Sequence, residues 1–201
     1  MRMLDFAYEK AITGVPGLDS AAELARSYRS QPGSLDEQIN RLIRWQNTKS
    51  ASAGFVTGLG GMITLPVTLP ANMTSVIFIQ IRMIAAIAHM ADLDLRDDRV
   101  KTLVYVALCG SAVVDILKSA GMRLGTQLTN QMIQKYLTAE VMKAINKAVG
   151  FKLVAKFGQS GAASFSKMVP LLGGIVGGSL DAYTTHLVGN TARKMFTQPI
   201  G

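Results

Sequence analysis

Cysteine occurs once in the 201 residues, at Cys109, and histidine twice, at His89 and His186. A single thiol cannot close a disulfide within the chain, so no disulfide framework is available. Cys109 sits in the apolar run LVYVALCGSAVV, which marks a buried core residue. The two histidines have no cysteine or further histidine at metal-ligand spacing, which argues against a zinc site, and no cofactor is expected. Aromatics are scarce at 6%, with Trp45 the one tryptophan. They are not interleaved with the lysines and no recognition motif is present, so nucleic acid is not an expected partner. Charged residues, at 17%, fall below the usual quarter, while 49% are hydrophobic. That is apolar for a soluble protein and too polar for a typical multi-span membrane protein. With no low-complexity tail and no linker, residues 1–201 read as a single domain with a substantial core.

Acidic residues are missing from one half in particular. Residues 1–50 hold seven basic and six acidic groups, residues 51–100 three and four, and residues 101–201 eleven and three. The net charge of +8 therefore lies in the last half. This predicts a basic face, and an anionic lipid or an acidic protein as its partner. The N-terminus MRMLDFAYEKAITG carries Asp5 and Glu9 and lacks the apolar core of a secretory signal, so a cytoplasmic location is expected.

Strand signals are nearly absent and helical ones dominate. SAAE at Ser20–Glu23 and SLDE at Ser34–Glu37 match the capping box, in which serine satisfies an orphan N–H and glutamate reaches back. Helices are expected to start at both serines, the second carrying Leu35, Ile39, Leu42 and Ile43 on one side. From Ser50 to Ile81 there is no charge at all. The run is long enough to span a membrane, but glycines and prolines interrupt it. Pro66 and Pro70 divide it into a glycine-rich helix over 51–65 and a longer helix over 71–91, whose central Arg82 opposes insertion. A buried or re-entrant hairpin fits better. Further helices are expected over 99–119 and along an amphipathic stretch from Gly121 to Gly150.

The C-terminal stretch PLLGGIVGGSLDAYTTHLVG holds five glycines that a helix interior disfavours by about 1 kcal/mol each. Gly54 and Gly58 are four apart, as are Gly173 and Gly177, and Gly174 and Gly178. That spacing puts small residues on one face and lets helix backbones approach closely. The fold class is all-α, a compact bundle with closely packed glycine-rich helices.

Catalytic patterns fail one by one. GLGGMI at 58–63 has Ile63 where a dinucleotide loop needs its third glycine, and Ser164 and Lys167 form an S-x-x-K without companion motifs. No P-loop and no G-x-S-x-G elbow occurs, so an enzyme is not expected. Three polar features stand out instead. Ser75, Arg82 and His89 recur every seven residues on one helix, and Asp115 and Asp181 lie in apolar surroundings. They read as a polar path inside the bundle, as a buried pair fixing helix register, or as solvent-facing groups, with structural or solvent roles favoured. Arg82 is expected to pair with Asp115 or Asp181. On a helical wheel of NQMIQKYLTAEVMKAINKAVG, Ile133, Leu137, Val141, Met142, Ala144, Ile145, Ala148 and Val149 fall on one side. Lys135, Lys143 and Lys147 fall on the other, and Lys152 and Lys156 follow.

Several blocks in order resemble the EcsC family of bacterial proteins. They are AITGVPGLDSAAELARSY, GFVTGLGGMITLP, IQIRMIAAIA with Arg82, and VPLLGGIVGGSLDAYTTHLVGNTARKMF, together covering roughly residues 11–197. The chain departs from the family at Thr68, where an acidic residue is usual, and at Met90 and Ala91, where Tyr-Gly is usual. The resemblance implies an all-helical, hydrophobic protein, and the family's association with a transporter operon implies work at a membrane. Two functions compete. One is a non-enzymatic accessory or scaffold protein, peripheral to the inner face of the membrane and acting through the basic face. The other is a soluble cytosolic helical module that recognises an acidic protein.

Overall fold

The computed structural model describes residues 2–51, 71–122, 128–155 and 173–199, with the side chains of 49–51, 71–75 and 173–181 outside that description. Among the described residues the regular elements are all helices. The helices are α1 (Arg2–Thr13), α2 (Ala21–Arg29), α3 (Leu35–Ala51), α4 (Ala71–Met90), α5 (Asp98–Leu108), α6 (Val113–Ser119), α7 (Asn130–Tyr136), α8 (Ala139–Val154) and α9 (Gly173–Thr197). A single 3-10 turn, Gly110–Ala112, precedes α6, and one isolated bridge joins Val15 and Leu18.

Both capping boxes form. The Ser20 N–H donates to Glu23 Oε2 at 2.8 Å while the Glu23 N–H donates to Ser20 Oγ at 3.3 Å. The same pair of bonds joins Ser34 and Glu37, at 2.7 and 3.3 Å. These donors favour the ionised carboxylates and hold both glutamates below their usual pKa. Behind the second box, Ile39, Leu42 and Ile43 are buried and Leu35 packs against the core.

The centre of the bundle is α4. Every residue from Ile77 to Ala88 is buried, Gln80 and Arg82 included. A helix apolar all round has no wet face and must be enclosed, and α1, α2, α3, α5 and α9 do so. Tyr8 of α1 donates to the Leu95 carbonyl at 2.8 Å and stacks edge-on with Tyr105 of α5, whose hydroxyl donates to Asp5 at 2.9 Å. Burial first, and then the Asp5 carboxylate, push the Tyr105 hydroxyl up from its ordinary pKa.

Two expected boundaries move. The helix expected over 99–119 breaks after Leu108, because Gly110 takes a φ of +61°, which a right-handed helix cannot continue. The stretch from Gly121 to Gly150 divides at Leu137, where Thr138 caps a new helix by accepting from the Val141 N–H. That helix then runs through Gly150 to Val154.

The C-terminal helix α9 lies antiparallel on α3. Arg193 pairs with Asp36, Gly189 meets Ile43, and Asn47 hydrogen-bonds His186 Nδ1 at 3.0 Å. A Cβ at Gly189 would stand 2.9 Å from Ile43 Cγ1 and 3.1 Å from Met83 Cε, so only glycine lets the two helices close on this site. Gly173, Gly174, Gly177 and Gly178 form the first turns of the same helix, with their surroundings outside the described residues. Gly54 and Gly58 lie outside the described residues altogether.

Candidate functional site

The lysines of the basic face stand in water. Lys135 on α7 and Lys143, Lys147 and Lys152 on α8 are exposed, as is Glu140, while Lys156 lies outside the described residues. Beneath them Ile133, Leu137, Ile145, Val149 and Leu153 are buried, and Val141, Met142 and Ala148 pack against the core. Ala144, expected on the inner side, is exposed. At 100° per residue it lies about a quarter turn from Ile145, at the margin of the stripe that α8 turns toward the core.

The sequence reading missed the apolar part of this surface. Phe151 is 74% exposed and Val154 67%. Lys147 and Phe151 are four apart and Phe151 and Val154 three apart, so all three share one strip of the outer face. Tyr136 is exposed at the end of α7, with Lys135 Nζ 5.4 Å from its ring centroid. The signal was legible: the same helical wheel, carried four residues past Gly150, puts Phe151 and Val154 outward. Taking Gly150 as a helix end hid them.

The polar stripe of α4 divides among different surroundings. The Ser75 side chain is outside the described residues. Arg82 is 2% exposed, and its Nη1 donates to the Asp19 carbonyl at 2.9 Å. Its Nε is buried without a hydrogen-bond partner among the described residues. Desolvation lowers the Arg82 pKa from its ordinary value, with the Asp19 carboxylate opposing that shift. His89 is half-buried and lines a cleft of about 860 Å³ with Arg26, Arg29, Arg96, Asp92 and Asp94.

The expected partner of Arg82 is corrected on one side. Asp115 is exposed on α6, whose core face is Val113, Ile116 and Leu117, so it forms no buried pair. Apolar neighbours in sequence misled here, because a helix buries a face rather than a segment. Asp181 lies in α9 with its side chain outside the description. What Arg82 does find is a backbone carbonyl on the loop before α2, a contact no residue pattern announces. Between α4 and α9, Gln80 Nε2 lies 3.3 Å from the hydroxyls of Thr184 and Thr185.

Among the described residues no cluster of His, Cys, Asp or Glu could hold a metal ion, and no helix is long and apolar enough to cross a membrane. Comparison with protein families matches residues 33–198 to the EcsC protein family. The chain belongs to the EcsC family. The match takes in the basic face, α4 and the α3–α9 seam, and it begins after α2, so the block AITGVPGLDSAAELARSY stands ahead of it. No curated protein and no solved structure matches the chain.

Proposed function

We propose that this EcsC-family chain is a non-enzymatic accessory or scaffold protein that adsorbs reversibly to the cytoplasmic face of an anionic membrane through α7 and α8. The observation that carries this reading is the pairing of exposed lysines with exposed apolar side chains on one strip, Lys143 and Lys147 beside Phe151 and Val154. Each lysine near an anionic surface contributes about 1 kcal/mol. Burying a phenylalanine in the acyl boundary adds roughly 1.5–3 kcal/mol. A solvated helix face needs neither the single sign of charge nor a phenylalanine turned to water. An interfacial helix uses both.

The test is flotation with phosphatidylglycerol vesicles at low and high salt. Wild type is expected to float at low salt and to release as salt rises, since screening weakens the lysine contribution. Changing Lys135, Lys143, Lys147 and Lys152 together to glutamine should abolish flotation, and Phe151→Ser with Val154→Ser should reduce it at every salt concentration. Equal flotation of all three proteins, or none by wild type, overturns the proposal and leaves the soluble module that recognises an acidic protein.

A further inference from the structure

A second cavity shares no residue with the lysine strip. It measures about 260 Å³, and its walls come from α2, α3, α4 and the loops on either side of α2: Asp19, Ser27, Tyr28, Gln31, Trp45 and Arg82. Its lining is polar, which is unusual for a hollow beside the core. Arg82 sits in its wall, buried, with one hydrogen bond to a carbonyl and with Nε unpaired among the described residues. No carboxylate of the described residues comes within ion-pair distance of it. The Asp19 carboxylate is exposed to water, which weakens its hold on the buried cation. A buried guanidinium without a counter-ion is strongly unfavourable, and its planar fork of donors suits an oxyanion.

We infer that this cavity is a binding site for a small oxyanion, a carboxylate or phosphate, which completes the charge and hydrogen bonding of Arg82. Tyr28 and Ser27 bring hydroxyls to the same walls and Gln31 an amide, groups that can share the remaining oxygens. Tyr28 is itself pushed up from its ordinary pKa by burial, so it meets the ligand as a neutral donor. The volume admits a molecule of metabolite size and excludes a folded partner. The inference does not depend on the membrane reading, because none of these residues belongs to α7 or α8.

The chain carries its own reporter. Trp45 is the single tryptophan, half exposed at the cavity wall, so intrinsic fluorescence reports on this site. Sodium phosphate and sodium acetate are titrated separately at constant ionic strength, with chloride as the control. A saturable fluorescence change with at least one oxyanion and none with chloride is expected. Arg82→Gln should raise the half-saturating concentration by about tenfold or more, the loss of one charge-assisted contact. Asp19→Asn, at an exposed position that leaves the core intact, should lower it by about twofold to fivefold through removal of a competing carboxylate. A third titration uses phosphatidylglycerol vesicles with the protein carrying glutamine at the four lysines. A Trp45 response to vesicles that free phosphate reverses identifies a lipid headgroup as the source, whereas a response to phosphate alone identifies a free ion. A linear response shared with chloride, no response to either oxyanion, or a half-saturation unchanged by Arg82→Gln or by Asp19→Asn overturns the inference.

Discussion

Arg82 and the lysines of α7 and α8 carry the same charge in opposite settings. Arg82 is buried, and among the described residues its side chain makes one directional hydrogen bond. The lysines are solvated, and each holds its charge at almost no cost. The contrast teaches that a cation's position decides what it can recognise. A buried cation selects one small anion of matching shape, because desolvation makes a missing partner expensive. A row of exposed cations attracts any dense negative surface, weakly per residue and in a salt-dependent way.

The sharpest way to break this comparison is charge reversal at one position of each kind. Arg82→Glu should cost about 3–5 kcal/mol in chemical denaturation, as an unpaired carboxylate would replace the guanidinium in the core. Lys147→Glu should stay within about 0.5 kcal/mol of wild type. Equal losses would mean that Arg82 reaches water. Glycines offer the next contrast. Gly189→Leu should cost about 3 kcal/mol through overpacking against Ile43 and Met83. Gly150→Ala should stabilise by about 0.5–1 kcal/mol, since a Cβ there meets nothing within 4 Å and alanine is the better helix former. Thermal melts of the two variants moving in the same direction would erase the distinction between seam and outer face.

The smallest effect concerns exposed charges that are nonetheless ordered. Glu23 and Glu37 have folded pKa values lowered by their capping hydrogen bonds, below the ordinary 4.5. Their contribution is therefore complete above 4.5 and is lost as pH falls through the lowered folded values. Replacing both by glutamine keeps the box geometry and removes the titration. The melting temperature of the double variant should fall less steeply than that of wild type on the acid side of 4.5. Superimposable acid limbs would show that the two carboxylates are as unconstrained as the lysines.

Much of the bundle could be read from local rules. Ser20 with Glu23 and Ser34 with Glu37 announce two helix starts because a capping box is built from four consecutive residues. Most of the inner face of α8 follows from periodicity, with Ala144 the exception. What escaped depends on backbone geometry or on distant parts of the chain. The break at Gly110 needs a positive φ that a lone glycine permits but does not declare. Asp115 looked buried from its neighbours and turned outward with its face. The Arg82 cavity gathers residues from position 17 to position 82, and its one settled hydrogen bond ends on a main-chain oxygen, which has no side-chain signature.

The α3–α9 seam has a consequence for how the protein is made. Its ion pair joins residues 157 positions apart. During synthesis α3 is made well over a hundred residues before α9, so Ile43 waits for the Gly189 backbone that covers it. Contacts of such separation are slow to form, and the exposed apolar stripe invites association with other nascent chains in the interval. The seam thus closes only once α9 has been made, and a chain interrupted before Gly189 would carry a helix built for a neighbour that never arrives.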